Sequence, residues 1–220
     1  MNKNFYSLAP GELLGDDIKA GLDKINETYS ADKNFPKYKE AIRELFQLPV
    51  VPKTTESQFF LGGFIEGEGS MSVSAKKGKS AKFGMVLDPE FNLTQHVNGI
   101  SNLYNALDVF QTGRIRYKSG SNATMVLTID NRQSLVEKVI PFYKDYIIFN
   151  GSPSKKYRFN QFKQILELFN SSCHTDLDCF TNKMLPIWDD MRMQKGQSNE
   201  TFPDLKAAQD FAINFKKEKK

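Results

Sequence analysis

The stretch Phe59-Phe60-Leu61-Gly62-Gly63-Phe64-Ile65-Glu66-Gly67-Glu68-Gly69-Ser70 decides how the rest of the chain is read. It is apolar enough for a buried helix, yet glycines interrupt it, and each glycine inside a helix costs about 1 kcal/mol relative to alanine. The expected compensation is a close backbone approach to another helix, where a side chain would clash. Glu66 and Glu68 then close the apolar run. Two carboxylates at the end of a buried helix need neutralising, by cations or by a metal. Upstream, Pro52 breaks any continuing helix and Thr54, Thr55 or Ser57 can cap a new one. The helix is therefore predicted from about Glu56 to Glu66, ending at 67–69 where glycine permits a left-handed turn.

Beyond that helix the hydrophobic period changes from helical to alternating. Residues 71–77 (MSVSAKK) alternate as a strand, 82–95 (KFGMVLDPEFNLTQ) are long enough for a second, and the basic stretch between them reads as a turn. HVNGISNLYNALDVF places Ile100, Leu103, Leu107 and Phe110 on one helical face. GRIRYKSGSNATMVLTID gives a second hairpin turning at Ser119 to Asn122. Asp130 or Asn131 can cap a helix over Gln133 to Phe149. The order is helix, strand, strand, helix, strand, strand, helix, an α+β arrangement. Two amphipathic helices precede it, at 15–28 and 36–48, and helices at 156–170, 176–194 and 203–215 follow, with a frayed KKEKK end. The expected organisation is a helical extension over 1–52, a core with trailing helices over 53–195, and a C-terminal helix with a basic tail over 196–220.

Composition narrows the chemistry. With 220 residues, 40% of them hydrophobic, the chain can bury a substantial core. No run approaches a membrane span, and the opening residues have neither a secretory nor a transit character, so a protein acting where it is made is expected. Cys173 and Cys179 are expected to be reduced packing residues, and with His174 they match no zinc spacing. The formal charge is only +4, but between Ser70 and Gly120 seven cations face three anions, an excess that equals the charge of the whole chain. A cationic concentration on strands is the footprint of a nucleic-acid surface.

Residues 61–69 resemble the LAGLIDADG motif of homing endonucleases, with glycine at Gly62 where alanine is usual and glutamate at Glu66 and Glu68 where aspartate is commoner. The αββαββα order fits the same family. DPEFNLTQHVNG, TGRIRYKSGSNAT, LTIDNRQSL and LPIWDDMR resemble the members encoded by group I introns of algal chloroplast large-subunit ribosomal RNA genes. The resemblance implies site-specific double-strand cleavage of DNA with Mg²⁺, in support of intron mobility. It also implies a chloroplast or other organellar setting. Only one motif copy is present, and in this family that implies a homodimer whose motif helices cross at Leu61, Gly62, Gly63, Ile65 and Gly67.

By the same resemblance, Glu68 and the Gly67 carbonyl hold the metal, Glu66 is structural, and Gln95 positions the attacking water or approaches the metal. An arginine that some relatives carry four residues after that glutamine is Gly99 here. Lys155 aligns best with the family's assisting lysine, with Arg116 or Arg114 as alternatives. For DNA contact, Arg114, Arg116 and Lys118 lie two apart and share a strand face suited to guanine edges. Lys76, Lys77, Lys79 and Lys82 suit phosphates. Ser119, Asn122, Thr124, Asn92 and Thr94 add shorter polar contacts. A rival reading on the same scaffold is an RNA maturase that binds folded intron RNA without cutting DNA.

Overall fold

The computed structural model describes residues 8–29, 34–50, 54–192 and 201–218. Expectations resting on Pro52, on Gln194 and on the last two lysines lie outside the described residues. The elements are α1 (Asp16–Thr28), α2 (Phe35–Leu45), α3 (Thr55–Glu68), β1 (Gly69–Lys77), β2 (Met85–His96), α4 (Ile100–Phe110), β3 (Arg114–Tyr117) and β4 (Thr124–Ile129). A helix α5 over 132–146 contains the wide π turn Leu135–Val139 and stops before Phe149, shorter than its apolar spacing implies. Then come α6 (Pro153–Asn170), a helix α7 over 177–192 with a second π turn at Phe180–Met184, and α8 (Leu205–Glu218), which carries the helix past the expected fraying point. From α3 to α5 the order is αββαββα, as expected. Among the described residues no helix is long and apolar enough to cross a membrane.

The four strands form one sheet in the order β1-β2-β4-β3. Two compact units, residues 1–70 with 91–151 and residues 71–90 with 152–220, cut across the three linear segments expected from sequence. In the first unit, alternate residues of β2 and β4 (Phe91, Leu93, Met125, Leu127, Ile129) are buried, as are Leu103 and Leu107 of α4 and Leu135 and Val139 of α5. An aromatic chain links them, Phe91 meeting Phe110 and Tyr143 edge-on at 5.7 and 6.0 Å, a favourable geometry for ring quadrupoles. In the second unit Met71, Val73, Met85, Leu87, Phe162, Trp188 and Ala212 are buried. Arg158 is also buried there and donates from Nε to the Met71 carbonyl at 2.8 Å and from Nη1 to the Met191 carbonyl. Burial pulls the Arg158 pKa below its ordinary value, against the opposing charge of Asp190.

The cysteines depart from expectation. Cys173 and Cys179 are joined as a disulfide with Cα atoms 5.2 Å apart, because the tight turn after α6 brings back a residue only six positions on. Sequence spacing alone carries no such distance.

Candidate active site and nucleic-acid interface

Helix α3 begins as predicted. Thr54 accepts from the Ser57 N–H at 3.2 Å and the Ser57 hydroxyl oxygen accepts from the Thr54 N–H at 3.1 Å, a reciprocal capping box. Its other end differs. The helix runs on through Glu68, and Gly69 enters β1 with extended backbone rather than a left-handed turn. Glycine is needed there for space, since a Cβ would lie 2.6 Å from the Ile65 carbonyl oxygen.

The faces of α3 divide the motif residues. Leu61, Gly62 and Ile65 are buried in the chain's own core, and a Cβ on Gly62 would lie 2.8 Å from the Tyr146 carbonyl oxygen. The backbone approach that excuses Gly62 is thus made within the chain, on α5, and not to a second copy as expected. A helix cannot present one stripe to two neighbours, so Leu61, Gly62 and Ile65 drop out of the surface offered to a partner. Gly63 and Gly67 lie on the opposite, exposed side with open space around them, beside Phe60, which is 61% exposed.

The two acids also part. Glu66 is half-buried and turned inward, its Oε2 lying 3.4 Å from where a Cβ on Gly151 would be. Burial first, and the Glu66 charge second, push the Tyr143 hydroxyl well above the ordinary tyrosine range. Glu68, the last helical residue, is exposed. It stands at the negative end of the helix dipole with no basic residue in that last turn, a placement that favours a bound cation. Gly67 is among the last four residues, whose carbonyls helix geometry leaves without an intrahelical donor. Carboxylate and carbonyl oxygens are the ligands hard divalent cations take. The fit is therefore good in kind and incomplete in number, because among the described residues no three His, Cys, Asp or Glu side chains converge on a metal position.

Gln95 stands near the end of β2. Its Oε1 accepts from the His96 N–H at 2.8 Å, which leaves the Nε2 hydrogens for other partners. The side chain folds over Gly99, where a Cβ would come within 2.8 Å of Gln95 Cγ. The glycine that replaces the relatives' arginine is thus the space that Gln95 occupies. Lys155 lies in the second unit, in the first turn of α6, its backbone N–H donating to the capping hydroxyl of Ser152 at 3.4 Å.

The open face of the sheet carries aligned rows. In the first unit, the register pairs Asn92 with Thr128 and Thr128 with Arg114, then Thr94 with Val126 and Val126 with Arg116. Arg116 is exposed, Arg114 half-buried, and the Thr128 hydroxyl donates to Asn92 Oδ1 at 2.7 Å. Thr124 opposes His96 in the next row. Thr128 and Val126 sit centrally on this face, and the alternation in TMVLTI was the available signal for them. Lys118 and Ser119 project at the hairpin tip, but Ser121 organises it, donating to the Lys118 carbonyl at 2.6 Å and accepting from the Thr124 N–H at 3.2 Å. Asn122 is tied down, donating to the Gly11 carbonyl at 3.3 Å, so its side chain faces the N-terminal segment.

In the second unit the four lysines do not act alike. Lys76 pairs with Asp88 at 3.0 Å, both partners exposed, so part of the local charge excess is internally balanced. Lys77, one residue on, falls on the side of the buried Val73 and Ala75 and lies 5.4 Å over the Phe211 ring. Strand alternation points the two to different sides, although both are exposed. Lys79 and Lys82 are exposed in the turn.

A single capped motif helix ending in an outward carboxylate, set on an αββαββα frame with a polar and cationic open sheet face, defines a LAGLIDADG homing endonuclease, and the chain belongs to that family. The family model described as LAGLIDADG endonuclease matches residues 61–166. The DNA endonuclease I-CeuI of Chlamydomonas moewusii is 59% identical over 96% of this chain and 97% of that protein. Its solved structure, a group I intron-encoded homing endonuclease complexed with DNA, superposes with a TM-score of 0.89 over 94% of this chain and all of that one. A more distant match is the archaeal intron-encoded homing endonuclease I-Vdi141I complexed with DNA, 27% identical with a TM-score of 0.61 over 73% of this chain and 96% of that chain.

Proposed function

We propose that the protein is a site-specific endonuclease that binds a long double-stranded DNA target as a homodimer and hydrolyses one phosphodiester bond in each strand with Mg²⁺, promoting the mobility of a group I intron in an organellar ribosomal RNA gene. The observation that carries this reading is the exposed Glu68 at the dipole-negative end of α3. Among the described residues of one chain, no second acidic, histidine or cysteine pair joins Glu68 to make a three-ligand cation site. A second copy crossing at Gly63 and Gly67 would bring a second Glu68 to the same end of the helix pair.

Each side chain then has a bounded task. Glu68 and the Gly67 carbonyl would hold Mg²⁺, which when bound would stabilise negative charge on the attacking and leaving oxygens. Gln95 offers its amide N–H groups to orient water. Lys155 supplies positive charge toward the phosphate. Arg114 and Arg116 read base edges from the open face, with Asn92, Thr94 and Thr124 beside them. Lys79, Lys82 and Lys118 contact phosphates, which fixes register without reading sequence.

The test is incubation of the purified protein with a plasmid carrying an intronless organellar large-subunit ribosomal RNA gene, in Mg²⁺ or in EDTA. One Mg²⁺-dependent double-strand break is expected, and Glu68→Gln is expected to abolish it while DNA binding persists. Uncut DNA together with tight binding of the intron RNA would replace this reading with the maturase.

A further inference from the structure

Strand β3 is the last in the sheet order, so among the described residues one of its edges has no neighbouring strand. Exposed backbone donors and acceptors on such an edge normally invite another chain to pair. Here two side chains from the N-terminal helices occupy it. The Ile115 N–H donates to the Tyr38 hydroxyl at 2.7 Å, that hydroxyl donates to Asn26 Oδ1 at 3.2 Å, and Asn26 Nδ2 donates to the Ile115 carbonyl at 3.0 Å. The circuit is closed, and Tyr38 is 0% exposed. The same extension also holds the end of β3 and the turn that follows it. Lys19 lies 5.0 Å over the Tyr117 ring, and the Leu14 N–H donates to the Asn122 carbonyl at 2.9 Å.

Ile115 stands between Arg114 and Arg116. We propose that Tyr38 and Asn26 are positioning residues for DNA reading, clamping both backbone polar groups of Ile115 so that the flanking arginines are held in register against the base edges. The inference rests on the assignment of Arg114 and Arg116 as base readers. It gives the extension a role in specificity through the register of β3. A four-residue edge strand without this clamp is free to twist and fray, and base readout by a guanidinium fork tolerates little displacement.

The experiment uses the full chain and the duplex cut in the plasmid assay, alongside duplexes with single base-pair changes across each half-site and an unrelated duplex of equal length. Tyr38→Phe is expected to reduce discrimination at the base pairs read by β3 on the order of tenfold, part of what one base-reading arginine contributes. Affinity for the unrelated duplex and kcat at saturating target should stay unchanged. Asn26→Ala should relax the same base pairs. In the double variant Tyr38→Phe with Arg116→Ala, the fold-losses should not multiply, because both remove the same contact. Multiplied losses, or an equal loss on every duplex that follows a lowered Tm, would overturn the clamp as a specificity device. Full discrimination by Arg116→Ala alone would remove the base-reading assignment, and the clamp would fall with it.

Discussion

Gly62 and Gly63 are adjacent in sequence, but one faces packed backbone and the other open space, so the same substitution should act on them with opposite sign. Replacing an interior helical glycine by alanine gains about 1 kcal/mol of helix propensity. At Gly63 nothing stands within 4 Å of the new methyl, so Gly63→Ala should keep that gain as fold stability. At Gly62 the methyl would lie 2.8 Å from the Tyr146 carbonyl oxygen and 3.1 Å from Tyr146 Cβ. Backbone must move, and overpacking of this kind costs about 1 to 3 kcal/mol. The net for Gly62→Ala is a loss of about 0 to 2 kcal/mol, although alanine is the usual residue at this motif position. Thermal unfolding of dilute protein reads the difference, at roughly 2 to 4 °C per kcal/mol for a chain of this size. Sedimentation equilibrium reads the rest, since Gly63→Ala should weaken self-association while Gly62→Ala should not. Equal stabilisation by both variants would refute the assignment of Gly62 to the internal contact with α5. Undiminished association of Gly63→Ala would refute a helix crossing on the exposed face.

Two further outcomes are expected in solution. Burial pushes the Tyr38 hydroxyl from its ordinary 10.0 up to about 12, and raises Tyr104 and Tyr143 as well. Because the folded-state value lies above the unfolded one, the associated stability is complete below pH 10 and is lost as pH rises through 12; urea midpoints across this window should fall, less steeply in Tyr38→Phe. Reduction of the Cys173–Cys179 disulfide removes a link across six residues, which the chain-entropy argument values at about 2 kcal/mol. Dithiothreitol should therefore lower the Tm of the protein but not that of the double variant Cys173→Ser with Cys179→Ser, and an unchanged Tm would show that the link contributes nothing.

Whatever depends on neighbours within a few residues was legible in the chain alone. The capping box at Thr54 and Ser57, the apolar run of α3, the acids that close it and the alternation along β2 and β4 are local patterns, and they placed Glu68 at a helix end and Arg114 with Arg116 on one strand face. Which surface meets which came only from the packed fold. Periodicity marks a stripe as apolar without saying what covers it, so Gly62 and Gly63 looked alike until α5 took one of them. Charge counting treated Lys76 and Lys77 as one patch, although pleating sends them to opposite faces and Asp88, twelve residues on, balances the first. The cysteines, six residues apart, became a pair only through the turn that follows α6. Tyr38 and Asn26 reach Ile115 across 77 and 89 residues of chain, a separation at which sequence pattern has no memory and only the packed fold supplies the contact.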